Sequence, residues 1–302
     1  MNNPLAGVYG ASLTPLTSEG QLALGDLTRL LDFLAGRGCH GALLLGTTGE
    51  GTSFAPDERR AIFTAALEVR VRHPDFRLLA GTGTPSLEET IQLTRLAFDL
   101  GFNGVVVLPP YYYRKVGDDG LLAWYDQVIR RATPADGALF GYHFPGVSGV
   151  SLSLDLLSRL KDAHPKAFAG IKDSSGDPEH ATQLGERFGN DLLVLTGSDR
   201  LFSHALQHGA GGCITAQANL YSPELRQVWQ AFLAGDIPAQ ESAQATLTAK
   251  RQVLDRYPPA PPLLKAAISR LHGFPQWAVR PPLMPLSPEL AEQATLEFSQ
   301  AG

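Results

Sequence analysis

The chain has 302 residues, 44% hydrophobic and 18% charged, enough to bury a sizeable core as one large domain or two small ones. Its formal net charge of −5 comes without a long run of either sign. That argues against nucleic acid or an anionic membrane as partner and favours small molecules.

The N-terminal Met1-Asn2-Asn3-Pro4-Leu5 lacks the basic and apolar regions of a secretory signal, and no apolar run approaches the length of a membrane span. A reduced cytoplasm is the expected setting. Beyond it, short apolar runs alternate with segments of helical period, the pattern of repeated βα units around a parallel sheet. The eight strand candidates are Gly7–Leu13, Gly41–Leu45, Leu78–Gly81, Gly104–Leu108, Ala138–His143, Phe168–Lys172, Leu192–Thr196 and Gly212–Thr215. They are continuous apolar runs, as expected of strands covered on both faces.

The intervening helices carry start signals. Pro56-Asp57-Glu58 puts a proline and acids in a first turn, Ser86-Leu87-Glu88-Glu89 reads as a capping box, and Asp177-Pro178-Glu179 opens another helix. Gly38, Gly101, Gly189 and Gly209 stand where left-handed C-terminal residues are expected. Eight such units make a (β/α)8 TIM barrel, an α/β fold, over residues 1–220. After the eighth strand, Pro223–Gly235, Pro238–Arg256, Pro262–Leu271 and Pro288–Ser299 are helical in period with no strands between them. They predict a C-terminal helical region, residues 221–302, packed on the barrel.

In such barrels the chemistry gathers at the C-terminal ends of the strands. Strand six ends there in Lys172, a lone amine delivered by the apolar run Phe168-Ala169-Gly170-Ile171. A neutral ε-amine attacks carbonyls to form imines, and burial beside few anions is one way a protein supplies it. The bland reading is a surface lysine paired with Asp173. Strand two ends in Gly46-Thr47-Thr48-Gly49-Glu50-Gly51, whose N–H groups and hydroxyls suit a carboxylate, although glycine and threonine are also ordinary turn residues. Tyr142, ending strand five, is either a proton relay or a packed aromatic. His143 beside it points out of the barrel or toward substrate. His204 and His208 have a zinc-compatible spacing but neither a neighbouring glutamate nor a third ligand. Cys39 and Cys213 are too few for a disulfide framework and read as buried small hydrophobes.

Taken in order, Gly7 with Ala11 and Leu13-Thr14-Pro15, the Gly46–Gly51 loop, Pro110-Tyr111-Tyr112, Tyr142 with Pro145-Gly146, Gly170–Asp177, Thr196-Gly197-Ser198-Asp199 and Arg280-Pro281-Pro282-Leu283 resemble the motifs of the dihydrodipicolinate synthase and N-acetylneuraminate lyase superfamily. The resemblance runs nearly end to end. It implies a pyruvate-dependent class I lyase or aldolase in which Lys172 forms a Schiff base with a 2-oxo acid, without cofactor or metal. It implies that Tyr142, Thr47 and Tyr112 form a proton relay, Tyr112 reaching into a neighbouring subunit of a homodimer or homotetramer. Tyr113 beside it leaves the choice between the two tyrosines open. Thr48 and Gly49 match the carboxylate cradle, Gly197 and Ile214 match site-lining backbone, and Asp199 matches a position that contacts substrate hydroxyls.

The departures bear on substrate. Where authentic dihydrodipicolinate synthases carry an arginine for the carboxylate of aspartate semialdehyde, this chain has Val147; Pro56 and Arg59 stand where some members place histidines of a lysine feedback site. Ala216 replaces a serine of the sialic-acid lyase branch, and Arg200 an acid. Arg200 is either a surface residue at a helix start or, facing the site, a partner for an anionic tail. The turn after Tyr142 is closer to the aldolases of 2-keto-3-deoxy sugar acids and 4-hydroxy-2-oxoglutarate. The expected function is therefore reversible cleavage of a 4-hydroxy-2-oxo acid to pyruvate and an aldehyde. The alternatives are dihydrodipicolinate synthesis, dehydration of a 2-keto-3-deoxy sugar acid, and a non-catalytic small-molecule sensor on the same barrel.

Overall fold

The computed structural model describes residues 3–189 and 191–301. Eight parallel strands follow one another in chain order around a closed barrel: β1 Gly7–Ala11, β2 Gly41–Leu44, β3 Arg77–Gly81, β4 Gly104–Val107, β5 Leu139–His143, β6 Phe168–Asp173, β7 Leu193–Thr196 and β8 Gly212–Thr215. The (β/α)8 expectation holds, with strand ends shifted by one or two residues. β1 stops at Ala11 because the ladder ends there: the Leu13 N–H donates to the Asn219 side-chain oxygen.

Contacts divide the chain into two compact units, residues up to Gly7 with Arg77–Ile214, and Val8–Phe76 with residues from Thr215 onward. In the first, β3 to β8 pair in parallel, and the helices Leu87–Asp99, Asp118–Ala132, Leu154–Ala163, Pro178–Phe188 and Phe202–Gln207 connect them. Ser86 accepts the Glu89 N–H, and Asp177 accepts the Glu179 N–H, so these sequence signals do cap their helices. Gly101 and Gly209 have φ of 80° and 89°, as expected. Gly189 does not: its φ is −54°. A methyl group there would stand 2.6 Å from the Gly185 carbonyl oxygen, so close approach is what favours glycine.

The second unit holds β1 paired with β2, the helices Leu24–Gly36 and Pro56–Ala66, and four C-terminal helices, Ala218–Ala234, Ile237–Arg256, Ala260–His272 and Pro288–Gln300. The first C-terminal helix starts before Pro223 and keeps that proline inside, leaving helical geometry at Tyr221 (φ −130°, ψ 41°). A proline there removes an N–H donor and crowds the preceding turn, so a kink replaces the expected start. The core mixes aliphatic and aromatic side chains: Tyr9, Phe63 and Phe298 are buried with Leu27, Leu30, Leu31 and Leu34 of one helix, and Leu34 lies over Gly10 of β1. No described helix is long and apolar enough to cross a membrane.

Candidate active site

Lys172 is 3% exposed and lies in register with Tyr142, so the two side chains leave neighbouring strands on one face. Its Nζ sits 4.1 Å from the centre of the Tyr142 ring. The surface-lysine reading fails on this burial. It also fails because the Asp173 carboxylate is engaged by the Ser175 N–H and hydroxyl at 3.0 and 3.1 Å. A short apolar strand achieves this placement because sheet hydrogen bonds fix the backbone while strict alternation fixes the face.

The same alternation settles His143. Its register partner is Asp173, and both point to the opposite face, toward the helix that carries His180. His143 therefore faces away from the side of the sheet that carries Lys172. Burial, reinforced by His180, pushes its pKa down to about 4, and burial pushes the Asp173 carboxyl up. His143, Asp173 and His180 are close enough to suggest a metal centre. Yet His143 Nδ1 accepts the Leu152 N–H at 3.0 Å, so in the neutral ring the proton sits on Nε2 and blocks the other lone pair. A surface cleft of about 460 Å³ opens beside this cluster, lined by Ser153, Ser175 and Asp177, and not by Lys172. His204 and His208 are held by local bonds: His204 Nε2 meets the Thr182 hydroxyl and the Pro178 carbonyl, and His208 Nδ1 donates to the His204 carbonyl.

The other residues read from the sequence in this unit lie at strand ends. The Gly197 N–H donates to the Asp173 carbonyl at 2.6 Å, and a methyl group at Gly197 would overlap the Ser174 hydroxyl, which would have to rotate away where the β6 and β7 ends come together. Ile214 and Asp199 are buried at 1% and 0%, while Arg200 is exposed. Tyr112 and Tyr113 are exposed, their rings edge to face at 5.3 Å. Val147 is half exposed in the short turn Pro145–Ser148.

In the second unit the loop after β2 bears Thr47, Thr48 and Gly49. Leu45 and Glu50 bracket it, both at positive φ (56° and 55°), a conformation that side-chain-bearing residues rarely adopt. Thr14 donates its hydroxyl to the Gly49 carbonyl at 2.7 Å. Sequence reasoning missed what lies behind Glu50, namely Lys265, whose Nζ is 2.5 Å from Glu50 Oε1. A signal existed: Lys265 interrupts the apolar helical run Leu263-Leu264-Lys265-Ala266-Ala267-Ile268, where a charge requires a partner.

A buried lysine beside a tyrosine, on the face of a parallel barrel strand turned away from the helices, is the equipment of a class I aldolase, and this protein is a lyase of that kind. It belongs to the dihydrodipicolinate synthetase family, whose sequence profile matches residues 4–301. A DapA-like lyase of Chloroflexus aurantiacus is 40% identical, covering 98% of this chain and 97% of the relative. A 4-hydroxy-tetrahydrodipicolinate synthase of Thermus thermophilus is 34% identical, covering 95% and 94%. Among solved structures, YagE of E. coli K12, a prophage protein of the same family in complex with pyruvate, superposes with a TM-score of 0.92 at 27% identity, over 98% of both chains.

Proposed function

We propose that the enzyme reversibly cleaves a short 4-hydroxy-2-oxo acid to pyruvate and an aldehyde. The observation that carries this reading is Lys172, buried and aligned with Tyr142 at the end of β6. The amine attacks the substrate C2 carbonyl and water departs, leaving a protonated imine. When the 4-hydroxyl loses its proton, the C3–C4 bond breaks; the aldehyde leaves, and the electron pair moves through C3 into the iminium to give an enamine. Protonation at C3 and hydrolysis then release pyruvate. Tyr142, Thr47 and Tyr112 move the protons, and Thr48 and Gly49 hold the substrate carboxylate. Gly197 and Ile214 line the site, and Asp199 meets substrate hydroxyls. The pyruvate bound to YagE and the family's Schiff-base pattern support these assignments.

The competing reading is 4-hydroxy-tetrahydrodipicolinate synthesis, the activity named for the Thermus relative. Val147 disfavours it, because a half-exposed isopropyl group offers no bidentate partner to the carboxylate of aspartate semialdehyde. The working unit is a homodimer or homotetramer in the cytoplasm. Exposed Tyr112 supports the first part and a chain with only two cysteines, Cys39 and Cys213, both buried, the second; a monomeric mass by sedimentation would overturn the assembly.

One preparation tests the chemistry. Borohydride with pyruvate should add about 72 Da to the peptide containing Lys172, and the Lys172→Ala variant should take up none. A panel of 4-hydroxy-2-oxo acids should release pyruvate, with condensation of pyruvate and aspartate semialdehyde slower by about 100-fold, or about 3 kcal/mol of barrier. Labelling elsewhere sinks the lysine; efficient dihydrodipicolinate formation puts the synthase first.

A further inference from the structure

The Gly46–Gly51 loop is irregular backbone, bracketed by two left-handed residues, and something must hold it. Glu50 is 3% exposed and Lys265 is 0% exposed, a fully desolvated ion pair with an N–O distance of 2.5 Å. Neither end is left unsupported. Lys265 also donates to the Ala278 carbonyl at 2.6 Å, and Glu50 Oε2 accepts the Arg280 N–H at 3.3 Å. The Arg280 guanidinium in turn binds both Glu58 oxygens at 2.6 and 2.8 Å, donates to the Ser53 and Gly20 carbonyls, and lies over the Phe54 ring. Two cations from the C-terminal segment thus grip both sides of the loop's exit, at Glu50 and at Ser53. Thr14 holds Gly49 from the strand side.

We infer that Glu50 and Lys265 are positioning residues for the substrate-carboxylate loop: their buried ion pair locks Glu50 in its left-handed conformation and thereby sets the direction of the N–H groups and hydroxyl at Thr48 and Gly49. Glu50 touches no substrate in this scheme. A buried ion pair is weak as a stabiliser, since desolvation offsets much of its Coulomb gain, but it specifies one geometry, because rotating either partner away strands a charge. An apolar pair would fill the space and leave the loop free to turn. This rests on Thr48 and Gly49 being the carboxylate cradle.

The test compares wild type with Glu50→Gln/Lys265→Met, which removes both charges while keeping side-chain length. Glu50→Asp is the conservative variant, keeping the charge but withdrawing it by one methylene. The probe is pyruvate, and the readout is the concentration giving half-maximal borohydride labelling of Lys172, alongside kcat, KM and Tm. The double variant should keep a Tm within a few degrees of wild type and still label only at Lys172, at about tenfold higher pyruvate. KM for the cleaved acid should rise in parallel and kcat should fall less than threefold. Glu50→Asp should fall between the two. A folded double variant with wild-type half-labelling overturns the inference. So does failure of both variants to fold, which would assign the pair to stability alone. Absence of Lys172 labelling in the wild type would instead overturn the proposed function.

Discussion

The amine proposed to form the Schiff base and the loop proposed to hold the carboxylate are kept in place by different physics. Lys172 stands on β6 between two hydrogen-bonded neighbours, and the pairs Tyr142–Lys172 and Lys172–Leu195 fix its position along the barrel. No buried countercharge is needed to aim it, because backbone register and alternation do so. The loop at Thr47–Gly49 has no ladder. Its exit is fixed by side chains from distant sequence, above all Lys265 and Arg280, and by a threonine hydroxyl. A group on a strand is therefore disturbed through the backbone, and a group on such a loop through the charges behind it.

The sharpest way to break this contrast is a methyl group on the lysine strand. A Cβ at Gly170 would overlap the Leu193 carbonyl and stand 2.8 Å from two Phe140 ring carbons, so β6 must move away from β7. Gly170→Ala should lower stability by about 3 kcal/mol or more, read by urea denaturation, with Lys172 labelling lost in proportion. A stable, fully labelled variant would show that register does not govern the amine.

The outer face of the same strands gives the next effect. An ordinary imidazole takes its proton near 6.5, whereas buried His143 does so only at about 4. Between these values the unfolded chain binds more protons than the folded one, so stability present above pH 6.5 is lost as pH falls toward 4, by about 3 kcal/mol at most. Asp173 works in the opposite direction, since burial raises its pKa and folding then favours its proton. The informative quantity is thus the slope difference between wild type and His143→Asn, which keeps an acceptor for the Leu152 N–H. Equal slopes from pH 6.5 to 4 would show that His143 titrates normally.

The smallest effect belongs to the loop. Thr48→Val removes one hydroxyl from a buried side chain and leaves Glu50 and Lys265 untouched. KM for the 2-oxo acid should rise about tenfold, near 1.4 kcal/mol, with Tm unchanged within error. A large Tm loss with unaltered KM would make Thr48 structural and move the cradle elsewhere.

Much of this molecule was legible in its residue order, for a definite reason. Apolar runs and capped helical periods are local signals, and eight repeats of them with strand-end motifs specify a parallel barrel and place Lys172 at a strand end. The family resemblance adds Tyr142, Thr47 and Thr48 as its proposed companions. The orientation of His143 was not legible, because at a strand's last residue the period-two rule gives a face only if the strand is known to continue. Pairing of His143 with Asp173 shows that it does. Gly189 was assigned a left-handed turn by position alone. The Gly185 carbonyl oxygen, 2.6 Å from where a methyl group would stand, gives glycine a different reason to be there.

By itself, then, the sequence determined the barrel and the order of its strands, which follow from short-range periodicity, and its contiguous motifs carried the family resemblance on which the proposed role of Lys172 rests. Tertiary structure alone decided which face each strand-end side chain occupies, that His143 and His180 converge behind the lysine, and that Glu50 meets Lys265. Those contacts join residues far apart in the chain, and a buried charge announces that it needs a partner without naming which one.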